Sequence, residues 1–234
     1  MDIMNYTTIF YKRENFKELK ESKPYLFQTY HDKSKIPNSI YENIKKYAPE
    51  YNHTILDNQD AIDFLKKNFD SSVVDTFHLL QKGPHKADLL RYCLLYIYGG
   101  VYLDIKTELI RPLTEIFLEK DKIYSVLSKS QDHIYQGILS TPPRNNLFSE
   151  MIQFIVQHPN PIDYHLYCKD FYDRIRSETG TVQPGWNGNY YLFSEKCSSN
   201  ASECHDGLDQ YGLCCFVWDK QDVVIKTRRS SYPF

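Results

Sequence analysis

Lys86-Ala87-Asp88-Leu89-Leu90-Arg91-Tyr92-Cys93-Leu94-Leu95-Tyr96-Ile97-Tyr98-Gly99-Gly100-Val101-Tyr102-Leu103-Asp104-Ile105-Lys106 is the stretch that decides how this chain is read. Just before it, Pro84 suits a first helical turn, where a missing N–H leaves nothing unpaired, and Leu90, Leu94 and Ile97 recur at helical spacing. The helix is expected to be largely buried. Asp88 and Arg91 are three residues apart and share one face near its start. Gly99 and Gly100 accept the backbone angles that close a helix and leave no side chain in the turn. The apolar strand Val101-Tyr102-Leu103 follows and delivers Asp104 at its carboxyl end, where open α/β sheets bind ligands. An acid and a base from a helix, joined by an acid from a strand end, suit a polyhydroxylated, charged ligand.

Working outward, Pro24 to Tyr30 and Tyr51 to Leu56 read as strands, and Pro37 to Tyr47 and Asp57 to Phe69 as helices. The order strand, helix, strand, helix, helix, strand up to Asp104 is that of a nucleotide-binding α/β half. Beyond it, Lys122 to Leu127 and Ile134 to Ser140 read as strands, Leu147 to Val156 and Tyr164 to Glu178 as helices, and Cys214 to Ile225 as two closing strands. Thr179 to Gly212 is rich in Gly, Ser, Asn and aromatic residues, and is expected to be a lid or binding loop. Trp186 and His205 within it are candidates to touch substrate, with packing and a surface position as their ordinary alternatives.

The order Asp88, Arg91-Tyr92, Gly99-Gly100, Tyr102-Leu103-Asp104 resembles the sugar-binding region of the DXD-containing glycosyltransferases of family 32 and, more distantly, the large clostridial glucosylating toxins. Pro24-Tyr25-Leu26-Phe27-Gln28-Thr29-Tyr30 resembles that family's first strand and nucleotide-binding turn. The resemblance implies a GT-A-type α/β domain: a Rossmann-like mixed sheet flanked by helices, with a C-terminal lid and acceptor region. The donor core is expected over about residues 24–150 and the acceptor side over about 151–234 of a single domain. It further implies a UDP- or GDP-sugar donor, a glycan or other hydroxyl acceptor, hexosyl transfer and retention of anomeric configuration. Asp104, Asp88 and Arg91 would be the catalytic set and grip the sugar. Gln28 and Thr29 would supply polar contacts to the nucleotide, and Tyr30 would stack on its base.

The family motif is Asp-x-Asp, whereas this chain reads Asp104-Ile105-Lys106. In the family pattern the second acid holds a divalent metal, Mn²⁺ or Mg²⁺, against the diphosphate. A protonated lysine ligates no metal, but its ammonium can contact phosphate. Asp104 as a metal ligand, Glu108 as a replacement carboxylate and metal-independent transfer all stay open at this point. The alternative function is a catalytically silent sugar-nucleotide or glycan-binding module. A phosphohydrolase with a nucleophilic Asp104 fits poorly, because Lys106 and Glu108 stand where that chemistry needs an acid and a threonine.

Composition narrows the classes further. With 234 residues and a net charge of −2, the chain is long enough for one large α/β domain and has no basic surplus for wrapping nucleic acid. The first residues lack a signal-peptide core and no segment has the length of a membrane span, so a soluble, cytoplasmic enzyme of bacterial or viral type is expected. The six cysteines have no zinc spacing and are expected to be buried free thiols, Cys197 with Cys204 being the pair that an oxidising compartment could close. Arg228 and Arg229 in the basic tail are candidates to neutralise phosphate or simply to be solvated.

Overall fold

The computed structural model describes residues 23–200, 202–204, 207–208 and 212–227. Strand β1 (Tyr25–Thr29) leads through a single 3₁₀ turn to α1 (Asn38–Tyr47), then β2 (Asn52–Leu56), α2 (Asn58–Asn68), α3 (Ser71–Leu79), α4 (Gly83–Tyr98) and β3 (Gly100–Leu103). After β4 (Glu108–Leu109), α5 (Leu113–Ile116), β5 (Ile123–Leu127) and β6 (Ile134–Thr141) come α6 (Asn146–Gln157) and α7 (Leu166–Thr179). The chain closes with β7 (Gly185–Asn187), β8 (Tyr190–Ser198), β9 (Cys214–Asp219) and β10 (Asp222–Lys226). The strands form one mixed sheet in the order β2-β1-β3-β6-β5-β8-β9-β10-β4, with β7 on β8.

The first three strands pair in parallel, so their carboxyl ends share one edge of the sheet. Successive residues of each strand face opposite layers. Phe27 and Tyr102 belong to the core under α2, α3, α4, α6 and α7, whereas Leu26, Val101 and Leu103 pack with Ile44, Leu113 and Ile116 on the other side. This three-layer arrangement buries α4 almost all round, from His85 to Ile97. A helix with its whole circumference in the core cannot shift, and it holds Asp88 and Arg91 in fixed register with the sheet.

Local chemistry sets the element ends. Asp57 caps α2 in a reciprocal capping box with Asp60, and the Asp70 and Asn145 side chains accept backbone N–H groups at the starts of α3 and α6. Gly99 ends α4 at φ 63°, and Gly100 follows at φ 90° with its ideal Cβ position 2.4 Å from the Tyr25 carbonyl oxygen. Any side chain at Gly100 would push β3 away from β1.

Three features differ from expectation. Helix α3 is an additional element between α2 and α4, because Asp70 caps it and Val73, Val74 and Phe77 reach the core. The segment expected to be an irregular lid holds β7 and β8, and β8 pairs with both β5 and β9. Two disulfides join Cys197 to Cys215 and Cys204 to Cys214, leaving Cys93 and Cys168 free among the described residues. Cys197 and Cys215 are directly opposite in the β8–β9 ladder, a relation that spacing along the chain does not display.

Candidate active site

A cleft of about 830 Å³ opens beyond the carboxyl ends of β1, β2 and β3, where Thr29, Leu56 and Asp104 all meet it. At its floor, two carboxylates flank one guanidinium. Arg91 Nη1 lies 3.3 Å from Asp88 Oδ1, and Nη2 lies 3.3 Å from Asp104 Oδ1. Two further N–H groups of Arg91 donate to the Ala87 and Gln136 carbonyls at 3.2 and 2.6 Å, and its guanidinium carbon lies 4.5 Å from the centre of the Tyr102 ring. Arg91 is therefore aimed by five neighbours.

Asp104 is the convergence point. Its Oδ1 accepts from Arg91 and from the Tyr102 hydroxyl at 3.3 Å, while Oδ2 accepts from the Tyr135 hydroxyl at 3.2 Å and lies 3.5 Å from the Lys106 ammonium. Burial pushes its carboxyl up, but Arg91, Lys106 and the Tyr135 hydroxyl outweigh that and hold it below the usual carboxylate range. For Asp88 the balance is reversed. Burial raises its carboxyl by more than Arg91 and His85 lower it. The protein thus separates the proton affinities of two acids that share one base.

Gln28 is fully buried and does not reach the cleft. Its Nε2 donates to the Asp104 carbonyl at 3.3 Å, and its Oε1 accepts from His53 Nε2 at 2.9 Å, so it fixes the backbone beneath Asp104. Thr29 lines the cleft and bonds the Tyr102 hydroxyl at 2.9 Å; Tyr30 also lines it, in contact with the His31 ring. Lys106 lines the same wall, 5.6 Å from the Tyr135 ring centre. Trp186 does not belong to this group. It sits on β7, exposed, with its ring against Tyr124 and Tyr191 rather than in the cleft. Of the remaining candidates, His205, Arg228 and Arg229 lie outside the described residues.

Sequence reading missed the β6 contribution. Gly137 lies opposite Asp104, accepts its N–H at 2.7 Å, and has an ideal Cβ position 2.5 Å from Asp104 Oδ2 and 2.2 Å from the Tyr135 hydroxyl. A lone glycine inside an apolar strand, in Tyr135-Gln136-Gly137-Ile138, is the signal that points to such a close approach. The cleft mouth carries His133 and His165, stacked at 4.8 Å, together with Glu195 from β8.

A divalent cation does not fit these residues. Every oxygen of Asp104 already faces a cation or a hydroxyl, and Asp88 is held by Arg91. Glu108 pairs with Lys226 of β10 at 3.8 Å, so it supplies no second carboxylate here. Among the described residues, one trio of ligand-type side chains comes together, Glu195, Cys197 and Cys215, and both of its sulfurs are joined in a disulfide.

Comparison with known proteins places this geometry. Residues 34–124 match the family model described as the glycosyltransferase sugar-binding region containing DXD motif. This region is similar to the sugar-binding region of the DXD-type glycosyltransferases. The initiation-specific alpha-1,6-mannosyltransferase of Saccharomyces cerevisiae is 35% identical over 69 residues, which is 29% of this chain and 14% of that relative. Its Candida albicans counterpart is 30% identical over 112 residues, 45% of this chain and 28% of the relative. The matched parts are therefore a minor share of either yeast protein. The solved PaToxG glycosyltransferase has a TM-score of 0.50 at 15% identity, covering 68% of this chain and 70% of that one, so the GT-A-like fold is common to both. Against the DXD region that gives the family its description, the departure at Lys106 lies inside the most family-like part of the chain.

Proposed function

We propose that this chain transfers a hexosyl group from a UDP- or GDP-sugar to a glycan or other hydroxyl acceptor. The observation that carries the reading is the Asp88–Arg91–Asp104 set on the floor of a cleft at the carboxyl edge of β1, β2 and β3. Fixed charged groups that are already oriented bind sugar hydroxyls without reorganising. Thr29 and Tyr30 extend the same floor toward the base, and Tyr164, His165 and Glu195 border the side from which an acceptor enters.

The bond from the anomeric carbon to the phosphate breaks with its electron pair on the phosphate oxygen, and the acceptor oxygen bonds that carbon. The acceptor proton passes to the departing phosphate. Asp88 and Asp104 are both engaged by Arg91, so neither is a free nucleophile for covalent double displacement; the retention of configuration that the family resemblance implies then proceeds by attack from the face of departure. No described helix is long and apolar enough to cross a membrane. The disulfides support folding in an oxidising compartment rather than the cytoplasm.

The test is turnover of UDP- and GDP-linked hexoses, followed by product release with and without oligosaccharide acceptors. Asp104→Asn is expected to lower kcat/KM by about a hundredfold, the scale of losing a charge-assisted contact made to reacting groups. Nucleotide-sugar binding with no hydrolysis or transfer for any acceptor would favour the silent binding module.

A further inference from the structure

The glycosyl transfer proposed above leaves an additional negative charge on a nucleoside diphosphate, and among the described residues no carboxylate cluster in the cleft is placed to hold a divalent cation against it. Lys106 occupies the third position of the motif, lines the cleft, and is about a quarter exposed, with its ammonium between Asp104 Oδ2 at 3.5 Å and the Tyr135 ring at 5.6 Å. We infer that the Lys106 ammonium serves in place of a metal ion, binding the donor's diphosphate and neutralising the charge on the departing phosphate, so that the protein works without divalent cations. This rests on the donor reading given under Proposed function.

Three arrangements support it. Asp104 holds the lysine at the cleft wall, with its Oδ2 3.5 Å from the Lys106 ammonium. Arg91 is spent on Asp88, Asp104, Ala87 and Gln136, so it has little left for phosphate. A divalent ion placed at Asp104 would lie beside two positive side chains, where its own charge is repelled. A lysine at this position supplies the electrostatic stabilisation and removes the need for the ion.

The measurement is calorimetric binding of UDP and of GDP to the full chain, in excess EDTA and in excess MnCl₂. The wild-type affinity for whichever nucleotide binds is expected to agree within about twofold between the two conditions. Lys106→Ala is expected to weaken it by about tenfold or more, the range of a lost charge-assisted contact, while Lys106→Arg keeps most of it. Lys106→Asp, which completes an Asp-x-Asp motif, is expected to bind about tenfold more tightly with Mn²⁺ than with EDTA. Circular dichroism on each variant verifies folding, and the folded Lys106→Arg protein carries the test if Lys106→Ala does not fold, a loss of Arg-variant affinity then counting against the proposal. Wild-type binding that requires Mn²⁺, or full affinity in folded Lys106→Ala, overturns the lysine assignment and leaves the glycosyltransferase reading standing. Absence of UDP and GDP binding in either condition overturns the donor reading, and the lysine assignment with it.

Discussion

At the scale of single residues, Asp104 shows how much of a site can be expressed by one carboxylate. It has four side-chain partners from three elements, α4, β3 with its following loop, and β6. Its position after the double glycine is plain in the sequence, because strand parity and the strand end place it at the ligand edge. Gly137 is the counterpart that sequence reading passed over. Gly137→Ala would drive a methyl group into the Tyr135 hydroxyl and Asp104 Oδ2, both side-chain ends that can yield toward the cleft. The substitution is therefore expected to weaken nucleotide-sugar binding by about tenfold or more while leaving the fold intact. Paired calorimetry and thermal melts would check it, and unchanged affinity would remove Gly137 from the site.

At the scale of elements, β1 and β2 are held by their parallel ladder and by the bond between His53 and Gln28. Burial lowers the His53 pKa to about 4, so the folded chain keeps the ring neutral where the unfolded chain, at roughly 6.5, takes up a proton. The unfolded state then binds more protons between those values, so stability is full above about pH 6.5 and declines as pH falls toward 4, by about 1–2 kcal/mol. Denaturant midpoints measured across that window should fall with acidification, and His53→Gln should flatten the slope. A slope identical in the variant would assign the acid sensitivity to other groups. The helix α4 has the opposite character. Leu90, Leu94 and Ile97 were legible as its buried side, yet the fold buries the other faces as well, because α6 and the sheet enclose it. Leu94→Ala in that enclosure is expected to cost about 2–5 kcal/mol, read as a lowered denaturation midpoint with the nucleotide affinity of the remaining folded protein unchanged.

At the scale of the whole molecule, the β8–β9 hairpin ties the C-terminal half to the cleft, since Glu195 lines the cleft two residues before the bridged Cys197. The Cys197–Cys215 bond closes a separation of 18 residues, and its removal as the paired Cys197→Ser and Cys215→Ser variant is expected to cost about 3 kcal/mol, checked by unfolding with and without reductant. Alkylation of denatured, unreduced protein followed by mass analysis should label Cys93 and Cys168 and spare the four bridged residues. Labelling of all six would remove the argument for an oxidising compartment.

By itself, the sequence determined the alternation of strands and helices, the placement of Asp88, Arg91 and Asp104 near one edge, and the missing acid at Lys106. Each of these follows from periodicity, turn residues or side-chain chemistry within a few positions of the chain. The tertiary structure alone decided that Gln28 lies beneath the site, that Trp186 lies away from it, that Gly137 faces Asp104, and which cysteines pair. Those relations depend on strand order and register, which bring together residues from 10 to 76 positions apart, and contacts of that range leave no local periodic trace.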